Sequence, residues 1–389
     1  MAGLPSAAGP AAATAATDPL IAAAGDISCD PGSPSFNSGN GTSSACRQKY
    51  TASLLHGATA VLSLGDLQYE DATYAKFLQS YDRSWGAHKA ITRPVVGNHE
   101  YLTPGATGYF DYFGASALSN GRSYYSFDLG NWHLIALNAN CSQVGGCGAG
   151  SSQEAWLKAD LAKTTKSCIL AYWHHPRFSS GSHGSDTAYD AFWRALYAAR
   201  ADVVLNGHDH DYERFGLQNP DGQADANGIR EFVVGTGGKG LTNFGTIRAN
   251  SQFRNATTYG VLKMVLHSNS YEWQFTPEGR KPTLDSGATT CHGSVPTAAL
   301  VSTFRATRTA AGVAVSWRTT RAARTLGFNL YREHAGRRVR LNRSLIGVLG
   351  SSRWIDRAAP AAQVRYRLQA LDLARRATWV GDVTVPSLS

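Results

Sequence analysis

The chain has 389 residues, which at roughly 100 to 200 residues per domain predicts two domains. Hydrophobic residues make up 43% of it and charged residues 17%, so the chain can bury a sizeable core and global disorder is excluded. The formal net charge of +9 would suit a polyanionic partner such as a nucleic acid.

No segment approaches the roughly 20 consecutive apolar residues that a membrane-spanning helix needs, so we expect no membrane span. Residues 1–17 are small and Pro-containing, and they lack the basic and Leu-rich regions of an intact signal peptide. We predict that they form a flexible leader or the remainder of an export segment.

The cysteines are six in number and include no CxxC pair of the zinc or redox type. Two pairs bracket loops rich in Gly, Ser or Asn, which leaves a long-range third pair. The predicted disulfides are Cys29–Cys46, Cys141–Cys147 and Cys168–Cys291. Such bonds imply an oxidising compartment, and hence a secreted or otherwise extracytoplasmic protein. The alternative is six reduced thiols in the core.

Five short apolar runs each end at a cluster of polar residues. They are LIAAA before GDIS, AVLSL before GDLQYE, RPVV before GNHE, CILAYW before HHP, and ADVVLN before GHDHDYER. Runs of this length predict buried strands that present polar side chains at their carboxyl ends. Gly235–Gly240, by contrast, reads GTGGKG and lacks the P-loop spacing, so we interpret it as a strand-to-loop turn.

Helix-like stretches alternate with these runs. Apolar residues at three- and four-residue spacing predict helices over 71–85 and 186–200, and Ser151 with Glu154 forms a capping-box pattern. Residues 124–128 and 132–138 flank a Leu-Gly-Asn turn and predict an antiparallel pair. The alternation predicts an α/β sandwich for residues 18–293, whose ligands would lie beyond the carboxyl ends of the strands.

The pattern changes from about Val295. Short alternating segments separated by turns predict a second, all-β domain over 294–389, and residues 276–296 are predicted to end the first domain and form a linker. From Val295 onward there are 16 Arg, no Lys and four acidic residues, a net charge of +12, whereas the remainder carries −3. Binding to an anionic surface or polymer would therefore belong to this domain, and an Arg-rich solvated surface without a partner is the alternative.

The strand ends carry donors that suit metal ions such as Fe, Zn or Mn. These candidates are Asp26, Asp66, Tyr69, Asn98, His99, His174, His175, His208 and His210. They are too many for one ion, so two ions with a bridging carboxylate are predicted. The alternative, a polar cluster without metal, would bury unpaired His and Asp side chains at a high cost.

The ordered motifs GD, GDxxY, GNHE, HxP and GHxH resemble those of the calcineurin-like metallophosphoesterase superfamily over residues 20–292. A Tyr three residues after Asp66 and the closing GHDHDYER of 207–214 are similar to the purple acid phosphatases within it. The resemblance implies a four-layer α/β/β/α sandwich that holds a ferric ion and a divalent ion, Fe, Zn or Mn. The implied ligands are Asp26, Asp66, Tyr69 and His210 for the ferric ion, and Asp66, Asn98, His174 and His208 for the other.

The resemblance also implies the reaction, in which a metal-bound hydroxide attacks a phosphate monoester. His99 or His183 would donate a hydrogen bond or proton to the leaving oxygen. For His183 an exposed loop His without function remains the alternative. Two positions depart from the family pattern: His175 stands between the implied ligand and Pro, and Glu70 replaces an alanine common after Tyr69.

Glu213 and Arg214 are interpreted as a structural pair behind the site. Residues 296–386 resemble a fibronectin type III domain, of the immunoglobulin-like class, with Trp317, Tyr331 and Tyr366 as core aromatic residues. The predicted function is a phosphatase acting on a small phosphate monoester. The alternatives are a phosphodiesterase at the same site and a non-catalytic adhesion or binding protein.

Overall fold

The computed structural model describes residues 18–279, 281–293, 301–319, 325–347, 351–372 and 377–387. The predicted leader, residues 1–17, lies outside them. The chain divides into two compact units, Met1–Ser294 and Val295–Ser389. Among the described residues, no helix combines the length and the apolar character needed to cross a membrane.

The first unit is a mixed α/β fold with two β-sheets. Its strands are β1 (Leu20–Ala24), β2 (Ala60–Leu64), β3 (Thr92–Val95), β4 (Tyr125–Leu129), β5 (Trp132–Ala136), β6 (Cys168–Tyr172), β7 (Val203–Asn206), β8 (Tyr212–Phe215), β9 (Arg230–Val234), β10 (Ser251–Asn255), β11 (Gly260–Leu266), β12 (Ser270–Pro277) and β13 (Asp285–Thr290). Its α-helices are α1 (Gln48–Ala52), α2 (Tyr74–Lys76), α3 (Thr107–Phe113), α4 (Ser152–Leu161) and α5 (Asp190–Ala198).

All five predicted apolar runs form strands, and they are shared between the two sheets. The first sheet has the order β13-β12-β11-β1-β2-β3, with β1, β2 and β3 parallel. The second has the order β10-β8-β9-β7-β6-β5-β4, with β5, β6, β7 and β9 parallel. The carboxyl ends of β1–β3 and of β6–β7 therefore supply the polar residues predicted for the site.

The strands of the second sheet are buried on both faces. Leu170 and Leu205 belong to the hydrophobic core that includes the first sheet. Their neighbours Ile169 and Val204 point the other way, into a second core with Trp193 of α5. Because successive side chains alternate between the faces of a strand, such continuous apolar runs fit a sheet covered on both sides.

Two predicted helices are shorter than their apolar spacing suggested. Residues 71–85 form only α2 and a following π-helical turn over Phe77–Tyr81, and Ser84 (φ −133°, ψ −91°) leaves the helical region. Residues 186–200 begin with a 3₁₀ turn before α5. The capping box of α4 is present in modified form: Ser151 Oγ accepts from the Glu154 N–H at 3.3 Å, and the Glu154 carboxylate accepts from the Gly150 N–H.

Residues 285–290, within the segment predicted to end the first domain and form the linker, form the edge strand β13 of the first sheet. Buried Asp285 explains this, because its carboxylate accepts hydrogen bonds from Tyr212 Oη and Arg214 Nε, both at 2.8 Å. Arg214 therefore pairs with Asp285 and not with Glu213. Glu213 instead accepts from the Ser180 N–H at 2.7 Å, since neighbours along a strand point to opposite faces.

All three predicted disulfides are formed. The Cα–Cα distances are 5.3 Å for Cys29–Cys46, 5.1 Å for Cys141–Cys147 and 5.4 Å for Cys168–Cys291. The third bond joins β6 of the second sheet to the residue that follows β13 of the first. It therefore cross-links the two sheets.

The second unit is all-β, as predicted. Its strands are β14 (Val301–Thr309), β15 (Gly312–Thr319), β16 (Thr325–His334), β17 (Arg337–Arg340), β18 (Ser351–Asp356), β19 (Val364–Asp372) and β20 (Ala377–Val385). They form the antiparallel sheets β14-β15-β18 and β17-β16-β19-β20. Trp317 and Tyr366 are core residues, but Tyr331 is not. It pairs with Arg367 and packs on Trp379, because the alternation of β16 turns Leu330 inward instead.

Candidate metal centre

The predicted donors of the first unit lie where its parallel strands end. Asp26 follows β1, Asp66 follows β2, and Asn98 lies three residues after β3. His174 and His208 each lie two residues beyond a strand of the other sheet, β6 and β7. Asp26, Asp66 and His208 have φ angles of 58°, 50° and 72°, a left-handed conformation that costs energy in non-glycine residues and is common at functional sites.

One group of donors surrounds the Tyr69 hydroxyl. Tyr69 Oη lies 2.9 Å from Asp26 Oδ1, 3.0 Å from Asp66 Oδ2 and 3.0 Å from His210 Nε2. His210 Nε2 is also 3.3 Å from Asp26 Oδ1. The phenol is buried, and burial together with the two carboxylates raises its pKa well above the usual value.

A second group surrounds the imidazole of His174, which is fully buried. His174 Nε2 lies 3.1 Å from Asn98 Oδ1 and 3.3 Å from Asp66 Oδ2, and its Nδ1 donates to the Leu64 carbonyl at 2.8 Å. The His208 ring packs 5.0 Å from it, centroid to centroid. Asp66 Oδ2 thus lies between the Tyr69 group and the His174 group.

These donors fit metal ions. Single ligand atoms of Asp26, Asp66 and His174 lie within 4.8 Å of one another, and those of His174, His175 and His208 do the same. Burial and the neighbouring His174 lower the pKa of His208 and lower that of His175 to about 3, which favours the neutral form of these two imidazoles. Within the described part of the chain, the buried Nδ1 of His175 has no hydrogen-bond partner. Neutral imidazoles beside carboxylates are the donors that Fe, Zn and Mn prefer.

The two predicted substrate-facing histidines lie beside these groups, and both are partly exposed. The His99 ring packs 4.3 Å from Tyr69, and its backbone N–H donates to Asp66 Oδ1 at 2.9 Å. The His183 ring packs 4.3 Å from His208 and its side chain is half exposed. The structure therefore brings together the seven implied ligands, His99 and His183.

Sequence reasoning assigned no role to Glu100, the last residue of the GNHE motif. Its fully buried carboxylate accepts hydrogen bonds from the backbone N–H groups of Asp66 (3.0 Å), Leu67 (2.7 Å) and Gly97 (2.7 Å). Burial and nearby Asp66 raise the pKa of Glu100 to about 7. This side chain therefore links the loops that follow β2 and β3. The sequence signal that could have indicated its role was the acidic residue that ends the GNHE motif.

Asp209, the middle residue of the HDH motif, was also missed. It is fully buried and accepts hydrogen bonds from the Ser179 hydroxyl and from the backbone N–H of His183. The available signal was its place between two histidines, because alternation along the chain would turn its side chain away from theirs.

Comparison with known families decides what kind of domain this is. Residues 21–212 match the sequence profile of the calcineurin-like phosphoesterase family. The chain contains a calcineurin-like phosphoesterase domain. The seven implied ligands of this phosphoesterase domain, together with His99 and His183, lie in the matched range.

Individual relatives agree with the predicted resemblance. The chain is 30% identical over 231 residues to purple acid phosphatase 21 of Arabidopsis thaliana, covering 53% of this chain and 51% of that protein. It is 28% identical over 191 residues to purple acid phosphatase 18 of the same plant, covering 43% and 42%. The matches thus span about half the length of these relatives. Together with the family match they support a phosphoric ester hydrolase.

A solved structure shares the fold. Purple acid phosphatase PPD1 from yellow lupin (Lupinus luteus) seeds superposes with a TM-score of 0.59 and 18% sequence identity, over 70% of this chain and 53% of that one. At this identity the likeness establishes the fold alone. It confirms the predicted metallophosphoesterase architecture of the phosphoesterase domain.

Proposed function

We propose that the phosphoesterase domain is a metal-dependent phosphatase that hydrolyses phosphate monoesters at a dinuclear centre. The observation that carries the proposal is the position of Asp66, whose Oδ2 lies 3.0 Å from Tyr69 Oη on one side and 3.3 Å from His174 Nε2 on the other. A carboxylate between two donor groups is what a bridged pair of ions requires. The similarity to two proteins named purple acid phosphatases supports it.

The proposed ligands follow the two donor groups. Asp26, Asp66, Tyr69 and His210 would hold Fe(III), and Asp66, Asn98, His174 and His208 would hold a divalent ion, Fe, Zn or Mn. A phenol oxygen with two carboxylates is a hard donor set that suits a ferric ion, whereas imidazole and amide donors suit a divalent one. Two ions bound there would activate water and stabilise negative charge on the phosphoryl oxygens.

His99 and His183 would act on the substrate. The Glu70 carbonyl can only accept, so His99 Nδ1 carries the proton in their 2.5 Å hydrogen bond. Likewise, His183 Nδ1 lies 3.1 Å from the Asp209 carboxylate. In both histidines Nε2 remains available, and when protonated it can donate to a phosphoryl oxygen or to the leaving oxygen.

Metal content combined with a substrate panel tests the proposal. We expect about two ions per chain and faster turnover of 4-nitrophenyl phosphate than of bis(4-nitrophenyl) phosphate. Chelation should abolish both activities, and metal replacement should restore them. Asp66→Asn should lose activity together with metal.

Three other results would contradict the proposal. Faster turnover of the diester would identify a phosphodiesterase. Less than one ion per chain and no activity, in protein never exposed to chelators, would favour a non-catalytic binding protein. Full activity in metal-free protein would exclude the dinuclear mechanism.

For the second unit we propose a fibronectin type III domain that binds an anionic surface or polymer. Exposed Arg305 and Arg353 flank Ser316 in one row across β14, β15 and β18, which supports a basic outward face. Retention on a heparin column that falls in an Arg305→Gln/Arg353→Gln variant would support the binding surface, and unchanged retention would exclude it.

The three disulfides support a secreted or otherwise extracytoplasmic location.

A further inference from the structure

An ion pair lies beside the metal centre of the first unit. The ammonium group of Lys239 lies 4.4 Å from the centroid of the Tyr69 ring and contacts the carboxylate of Glu70. The Lys239 side chain is 22% exposed and that of Glu70 is 54% exposed, so the pair borders solvent on one side and a proposed ligand on the other. Neither side chain takes part in the proposed reaction.

The backbone of Lys239 is firmly held. Its N–H donates to the Asp26 carbonyl at 2.9 Å, which ties it to the end of β1. Gly237 N–H donates to the Gly25 carbonyl at 2.9 Å, and the Gly238 carbonyl accepts from the Arg47 N–H at 2.8 Å. The backbone of Lys239 is therefore held beside the metal centre independently of the contacts that its side chain makes.

Glu70 occupies the space between Lys239 and His99. Its carbonyl accepts from His99 Nδ1, and its carboxylate Oε2 lies 3.9 Å from the same nitrogen. The ion pair that Glu70 makes with Lys239 is partly in water, where such pairs are weak because the solvent screens them. A second anion arriving with the substrate can therefore take the place of the Glu70 carboxylate.

We propose that Lys239 forms an anion subsite next to the metal centre, with Glu70 as its displaceable counter-ion. The subsite takes a carboxylate or a second phosphate carried by the leaving group of the substrate. The inference rests on the proposed function and narrows its substrate class to phosphate monoesters with a second anionic group. The Lys239 ammonium contributes charge and hydrogen bonds, and it takes no part in bond breaking.

A matched pair of substrates tests this subsite. In 4-carboxyphenyl phosphate the second group is an anion, and in 4-(methoxycarbonyl)phenyl phosphate a methyl ester of the carboxylate makes it neutral. The quantity measured is the ratio of their kcat/KM values, carboxylate over ester. We expect Lys239→Met to lower this ratio about tenfold, the effect of losing one charge-assisted hydrogen bond. Glu70→Gln should raise the ratio, and Lys239→Arg should retain most of it.

Lys163→Met is the matched control, because Lys163 is an exposed lysine just beyond α4. It should leave the ratio unchanged. An unchanged ratio in Lys239→Met, or an equal loss on both substrates as expected from a purely structural role, would overturn the subsite. If the wild-type protein hydrolyses neither ester while it binds metal, the proposed function itself fails. These two failures are therefore distinguishable.

Discussion

The carboxylate of Asp209 holds both ends of His183: Oδ1 accepts from the backbone N–H at 2.7 Å and lies 3.1 Å from the imidazole Nδ1. Asp209 is fully buried, whereas His183 is half exposed. A loop histidine fixed by a buried carboxylate has a defined ring orientation. This arrangement favours a role in the reaction over the alternative of a loop His without function.

We predict that His183→Ala and Asp209→Asn each lower kcat by about 10²- to 10⁴-fold on alkyl phosphates, the usual contribution of a general acid. The loss should be smaller on 4-nitrophenyl phosphate, whose leaving group departs without a proton. Steady-state kinetics of the single and double variants would test this, and the double variant should be little worse than either single one. Equal losses on both kinds of substrate would contradict a role for His183 toward the leaving group.

Glu100 is predicted to control metal affinity without binding metal. In Glu100→Gln one carboxylate oxygen is replaced by an amide NH₂ group, which cannot accept from the backbone N–H groups near Asp66. We expect the free energy of unfolding to fall by about 1–3 kcal/mol, the usual cost of an unpaired buried group. Displacement of the Asp66 loop should weaken metal binding about 10- to 100-fold, as for other residues that orient ligands. Metal titration and thermal unfolding measure the two effects. Glu154→Gln, at the start of α4, should cost stability alone, and weaker metal binding there too would refute the specific role of Glu100.

Tyr69 is predicted to give the iron-loaded protein a visible charge-transfer absorption band. If Tyr69 binds a ferric ion as its phenolate, Tyr69→Phe should remove the visible charge-transfer band and lower the iron content. Tyr81→Phe is the control, because Tyr81 is also buried but its hydroxyl lies 3.4 Å from Ser63 Oγ, outside the donor groups. A visible band of unchanged intensity in Tyr69→Phe would rule out the ferric assignment of this group.

The disulfides are predicted to differ in their contribution to stability. Cys168–Cys291 closes 123 residues and Cys141–Cys147 closes six. The loop-entropy relation gives about 5 kcal/mol for the first and about 2 kcal/mol for the second. Double Cys→Ser variants compared by denaturant unfolding should show this order, and free-thiol titration of the unreduced wild type should find no thiol. Six free thiols would refute the disulfides altogether.

His133 is predicted to make a pH-dependent contribution to the free energy of unfolding, at a position that is not among the proposed ligands. Its Nδ1 and Nε2 each lie 2.8 Å from a carboxylate, Asp128 and Asp160. Burial opposes the charged form, but the hydrogen bonds to Asp160 and Asp128 outweigh it and raise the pKa of His133 above 6.5. The stabilisation is therefore complete below pH 6.5 and is lost as the pH rises through the folded-state pKa.

Comparing wild type with His133→Gln tests this expectation. The difference in unfolding free energy should be about 1.5–3 kcal/mol near pH 6, the usual range for hydrogen bonds to charged groups. It should shrink toward pH 9. A difference that grows with pH would show that the imidazole is neutral in the folded protein.

Much of the candidate site could be predicted from the sequence, because each donor follows its own apolar strand. Asp26, Asp66 and His174 lie at the ends of LIAAA, AVLSL and CILAYW, and the position of a residue at a strand end is a local property. The all-β character of the second unit was equally readable from alternation. The misread features were those that distant contacts decide, such as the partner of Arg214, which is Asp285 and not the neighbouring Glu213.

Only the tertiary structure decided which side chains support the donors. Glu100 binds backbone groups 32 to 34 residues earlier, and Glu70 meets Lys239 across 169 residues of sequence. Tyr331 was placed in the core by its resemblance, but the register of β16 with β19 turned it outward beside Arg367. Local spacing determines which residue ends a strand and which face it lies on. The pairing of charges and hydrogen bonds between loops depends on how two sheets come together, and no short stretch of the chain contains that information.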